Sequence, residues 1–71
     1  RTVAGVRMAA TLRETVDGET KLSVRAVPGC DATAVTVRFG GGGHKGAAGA
    51  SMKLPLDEAV KAVEAVMSEV N

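Results

Sequence analysis

From Val6 the chain alternates, with Val6, Met8, Ala10 and Leu12 on one side and Arg7, Ala9, Thr11 and Arg13 on the other. Period two with one apolar face predicts a half-buried strand. Beyond Asp17-Gly18 the pattern resumes, with Leu22, Val24 and Ala26 facing inward and Lys21, Ser23, Arg25 and Val27 facing outward. The two runs read as a hairpin. A two-residue Asp17-Gly18 turn would set Leu12 against Ser23 and mix the faces. Pairing Leu12 with Leu22 and Ala10 with Val24 requires the three-residue loop Val16-Asp17-Gly18, a type I turn with Gly18 left-handed. In this register Arg13 and Lys21 stand opposite each other, and Arg7 and Arg25 share their face. Like charges directly opposed cost a few tenths of a kcal/mol or more, which a surface that meets an anion can tolerate.

Pro28-Gly29 ends the second strand. Asp31 is positioned to cap a short helix that turns Ala32, Val35 and Phe39 inward and stops at Gly40. The β-branched run Val35-Thr36-Val37 favours a strand instead; cap, spacing and stop together decide for the helix. Ala50–Leu54 alternates briefly as a further strand. Pro55 suits the first turn of a last helix, with Asp57 and Glu58 near its positive end. Leu56, Val60, Val63, Met67 and Val70 form one apolar stripe, expected to pack on the sheet and, as the competing reading, to form an oligomer contact. The expected fold is a small α+β domain over residues 1–71: a sheet with an N-terminal β-hairpin, a short helix, a glycine-rich loop, a further strand and a C-terminal helix.

Composition narrows the function. One Phe and no Tyr or Trp in 71 residues argue against modules that stack several bases on aromatic rings. A single Cys and a single His exclude an internal disulfide and a Cys/His zinc site. No apolar run approaches a membrane span. With Arg at position 1 and no hydrophobic leader, the expectation is a piece of a longer, cytoplasmic chain. The formal charge of +1 hides an asymmetry: residues 1–53 carry eight cations and four anions (+4), residues 54–71 one cation and four anions (−3). A basic body can attract phosphate while the total stays near zero.

The informative segment is Gly40-Gly41-Gly42-Gly43-His44-Lys45-Gly46-Ala47-Ala48-Gly49, with six glycines in ten residues. So many glycines would be entropically costly as a plain linker. Without side chains, successive backbone N–H groups can approach an anion closely. His44 and Lys45 add a switchable and a fixed positive charge. Gly41-x-Gly43-x-x-Gly46 formally fits the dinucleotide fingerprint, but no βαβ unit surrounds it. The P-loop pattern fails because Gly46, not Ser or Thr, follows Lys45.

Phe39 to Gly49 closely resembles the GGGH motif of the DHH-associated C-terminal domain of DHH phosphoesterases. Leu22-Ser23-Val24-Arg25, the short helix after Asp31, the strand after Gly49 and the last helix fall in that family's order, and the resemblance spans roughly residues 3–70. It lies nearest the oligoribonuclease (nano-RNase), pAp phosphatase and cyclic-dinucleotide phosphodiesterase group. It implies an N-terminal DHH domain that holds two manganese ions and cuts the phosphodiester, faced across a cleft by a C-terminal domain that holds substrate. It further implies that Gly41, Gly42, Gly43 and His44 contact phosphate or the terminal nucleotide, that Arg25 is the arginine of the family's strand motif, and that Lys45 is a phosphate neighbour. Ala26 departs from the serine often found after that arginine. With no DHH triplet and few aspartates, this chain is expected to carry no catalytic or metal-binding residues of its own. The implied partners are short RNA, DNA or a nucleotide and the DHH domain. The competing class is a non-catalytic RNA or single-stranded DNA module, as in the C-terminal part of alanyl-tRNA synthetase.

Overall fold

The computed structural model describes residues 1–70. Its elements are β1 (Thr2–Ala4), β2 (Met8–Glu14), β3 (Thr20–Ala26), α1 (Thr33–Thr36) continued by a 3-10 turn (Val37–Phe39), β4 (Gly42–His44), β5 (Ala47–Met52) and α2 (Leu56–Val70). The strands form one antiparallel sheet in the order β1-β2-β3-β5-β4. The fold class is therefore the expected α+β.

The β2–β3 hairpin has the register that the apolar face demands, Leu12 opposite Leu22, Ala10 opposite Val24 and Arg13 opposite Lys21. Its loop closes through Thr15 N to Glu19 O (2.8 Å) and Gly18 N to Thr15 O (3.1 Å), with Gly18 at φ 78°. Glycine adopts this left-handed backbone without the Cβ penalty that other residues meet.

One face of the sheet is covered by the helices. Met8, Ala10, Leu12, Leu22, Val24, Ala32, Val35, Met52, Ala59, Val60, Val63, Val66 and Met67 form the core. The stripe on α2 is used there: Val60, Val63 and Met67 are buried, and Leu56 and Val70 pack at its margin. Folded this way, Val60, Val63 and Met67 are taken up by the domain's own core, while Leu56 and Val70 stay partly exposed. All three methionines, Met8, Met52 and Met67, are buried in this core.

Several expectations need correction. Val6 does not face inward; it belongs to the tight connection between β1 and β2, closed by Gly5 N to Met8 O (2.9 Å), and is 92% exposed. The first strand of the hairpin accordingly starts at Met8, and β1 pairs along its outer edge. The glycine-rich segment is not all loop, since Gly42–His44 pairs with β5 as the edge strand β4. The strand expected from Ala50 starts at Ala47 and ends at Met52. Asp31 does not occupy the N-cap position of α1, which is Ala32. One residue earlier, its Oδ1 accepts the Thr33 N–H (2.9 Å) and the Thr33 hydroxyl. Pro55 lies just ahead of α2 rather than in its first turn, and its carbonyl accepts the Ala59 N–H (2.9 Å).

The chain from α1 into β4 is held at both ends. Gly40, at φ 75°, ends the 3-10 turn as the sequence requires. The Gly41 N–H then donates to Thr36 O (2.9 Å), while the Ala32 N–H donates to Lys45 O (2.6 Å). The short helix thus grips the β4–β5 hairpin at its entrance and at its turn.

Candidate functional site

The face of the sheet away from the helices carries the candidate residues. Residues paired across antiparallel strands project to the same face. Arg25 pairs with Ala47, and Ala47 pairs with His44. Arg25 and His44 therefore stand in one row, both exposed, with a methyl group between them. Two interstrand spacings put their backbones about 10 Å apart. Ala9, on the other side of Arg25, continues the row with another small residue.

The adjacent row consists of Thr11, Ser23, Gly49 and Gly42. The two rows make a floor without bulk, from which a guanidinium and an imidazole rise. Ser23, Arg25, Gly43, Ala47 and Gly49 border a shallow depression of about 310 Å³ in this floor. A second depression of about 270 Å³ lies on the other side of Arg25, between the Gly5–Ala9 segment and Val27. Arg25 stands between them, with the exposed Val6 and Val27 at the rim of the second.

The three glycines of the motif differ in what requires them. A Cβ on Gly41 would lie 2.2 Å from Gly49 O, so this position is glycine because β5 passes against it. Gly43, at φ 139°, would place a Cβ 2.6 Å from Ala48 Cα, and both backbone and space call for glycine there. Gly42 is different: a Cβ would meet nothing within 4 Å, and the residue is exposed on the Arg25 face. Nothing inside the domain requires that position to be bare.

Lys45 occupies the turn of the β4–β5 hairpin beside His44 and is exposed. Its ammonium acts on Asp31. That carboxyl is held below its ordinary range mainly by the hydroxyl and N–H of Thr33, with Lys45 contributing the weakest of these effects. The structure therefore brings Arg25, His44 and Gly42 to one open surface, gives Gly43 the opposite parity in β4, sets Gly41 just ahead of that strand, and places Lys45 at the margin.

The floor residues Ser23, Ala47 and Gly49 were not singled out in the sequence. Their signal is the hairpin parity continued across β5, which becomes readable only once β5 is known to pair with β3. Among the described residues no group of three or more His, Cys, Asp or Glu converges in a way that could hold a metal ion. The side chains of this surface can bind and orient an anion: they offer a planar donor fork, an imidazole and close access to backbone. Among the described residues no helix is long and apolar enough to cross a membrane.

The sequence model of the DHHA1 domain matches residues 1–69. A curated relative, the bifunctional oligoribonuclease and PAP phosphatase NrnA of Thermus thermophilus, is 42% identical over 72 residues, covering 99% of this chain and 22% of the relative. The chain thus spans about a fifth of that relative's length.

Proposed function

The chain belongs to the DHHA1 domain family, and from that premise we propose that it is the substrate-holding domain of a DHH phosphoesterase acting on short oligonucleotides or small nucleotides such as pAp. The observation that carries this reading is the row Arg25–Ala47–His44 beside the exposed Gly42. A phosphate seated on that floor meets the Arg25 fork from one side and His44 from the other. The bare Gly42 position lets it, or the sugar attached to it, approach the backbone. The relative's name supports the substrate class, as an oligoribonuclease and PAP phosphatase. Hydrolysis by manganese belongs, in this reading, to an N-terminal DHH domain facing the site across a cleft, in a cytoplasmic enzyme. In this reading the part of this chain's residues is to hold and orient the phosphate.

The test uses the full-length enzyme. Hydrogen bonds to charged groups contribute about 1.5–3 kcal/mol each, so Arg25→Ala or His44→Ala is expected to raise KM for pAp roughly 10- to 100-fold. The circular dichroism and melting temperature should stay at wild-type values, because both side chains are exposed. Unchanged KM in both variants would overturn the reading.

A further inference from the structure

The pair Arg13 and Lys21 remains outside the site described above. The two residues are directly opposed on β2 and β3, both exposed, and lie on the same face as Arg25. Opposed like charges weaken a strand pair unless a counter-charge sits above them. Lys21 Nζ donates to Ser51 Oγ (2.9 Å), which stands straight across on β5. The ammonium is therefore directed across the sheet and not along β3 toward Arg25. Lys53 follows at the end of β5, also exposed. The acids near this end are Asp17 in the hairpin loop, Glu19 beside it, and Glu14, whose place in β2 gives it the opposite parity. Arg13, Lys21 and Lys53 thus stand at one end of the sheet, with Glu19 and the loop residue Asp17 as the acids nearest them.

Lys21 and Arg25 are four residue steps apart along β3, about 13 Å. One phosphate group cannot bridge that distance. Between the two positions lie Ser23, Thr11 and Gly49, a floor of hydroxyls and bare backbone that a chain can cross without steric obstruction.

We propose that Arg13, Lys21 and Lys53 form a second phosphate subsite, which holds a later phosphate of an oligonucleotide whose first phosphate sits at Arg25 and His44. A bisphosphorylated mononucleotide ends short of it. The surface then discriminates by length: both ligand classes use Arg25, and only the oligonucleotide uses the Arg13–Lys21 end. This inference rests on the reading of the Arg25 face given above.

The experiment measures binding to the full-length enzyme of adenosine 3′,5′-bisphosphate and of di-, tetra- and hexa-adenylate, under conditions that block turnover. The Arg13→Ala/Lys21→Ala double variant is expected to lose about tenfold in affinity for the tetramer and hexamer. Its salt dependence should fall by about one unit of slope per phosphate contact removed. Affinity for the bisphosphate should be unchanged. Arg25→Ala should weaken every ligand in the series. A double variant that binds the hexamer like wild type, or that weakens bisphosphate and hexamer equally, overturns the subsite. An Arg25→Ala variant that binds everything like wild type overturns the reading of the Arg25 face instead. A loss confined to the longer ligands in the double variant, together with weaker binding of every ligand by Arg25→Ala, supports the second subsite.

Discussion

Leu22 is buried beneath the helices, while Lys21 and Arg25 on the same strand stand in solvent on the opposite face. On the helix side each residue is fixed by its neighbours. Ala10, Leu12 and Val24 are at most 1% exposed, and any change of volume is felt by α1 or α2. On the other side, Arg13, Lys21, Ser23 and Arg25 are exposed, and the floor between them holds nothing larger than threonine. Folding alone would accept many residues there. The identity of that face is therefore informative about what the sheet meets outside itself, as the identity of the core face is not.

The largest expected effect tests this contrast directly. Leu22→Ala removes a side chain that is 2% exposed and should cost about 2–5 kcal/mol. A domain of this size has on the order of 5 kcal/mol in total, so such a variant should be largely unfolded in mild urea. Arg25→Ala should stay within about 0.5 kcal/mol of wild type. Urea denaturation of both variants is the measurement. Equal losses would mean that the Arg25 face is structural after all.

A smaller effect sharpens the contrast within a single strand. Gly43→Ala forces a side chain onto a φ of 139° and against Ala48, a strain of about 1–3 kcal/mol. Gly42→Ala, one residue earlier, meets only open space and should change stability by no more than about 0.5 kcal/mol. Its effect should appear instead as weaker binding of nucleotide by the full-length enzyme. Thermal melting paired with ligand titration separates the two. A Gly42→Ala protein that melts and binds like wild type would remove Gly42 from the site.

How much of this could be read from the sequence depended on what sets each element. The β2–β3 register was legible because a one-residue slip would send Leu12 and Leu22 to the wrong face. That same parity placed Arg25 outward. The short helix was legible in spite of Val35-Thr36-Val37, because Asp31 and Gly40 punctuate it and the inward residues recur at helical spacing. β4 was not legible: Gly42-Gly43-His44 carries no hydrophobic alternation, and its strand character comes from pairing with β5. β1 was too short to show a period. Val6 was misread because the alternation of the strand runs on into a turn with no proline or Asn-Gly signal inside it. The motif itself was visible at once, yet the sequence treats Gly41, Gly42 and Gly43 alike. Only the path of β5 separates the two that packing requires from the one that it does not.

The smallest expected effect concerns the joint where the two sides of the sheet communicate. α1 belongs to the covered face, and it reaches the turn of the candidate site through the Ala32–Lys45 hydrogen bond. Asp31 stands at that joint, its carboxyl held below the ordinary range by Thr33 and, more weakly, by Lys45. A carboxyl with a lowered folded-state pKa stabilises the fold above its unfolded pKa, near about 3.9, and loses that contribution as the pH falls through the folded value. Asp31→Asn keeps an acceptor for the Thr33 N–H but cannot titrate. Wild type should therefore melt slightly above the Asn variant at pH 5–7, and the gap should close on acidification below about pH 4. A gap of the same size at pH 2.5 and at pH 6 would show that the charge contributes nothing. The joint would then be held by the Thr33 geometry and the Ala32–Lys45 backbone contact alone.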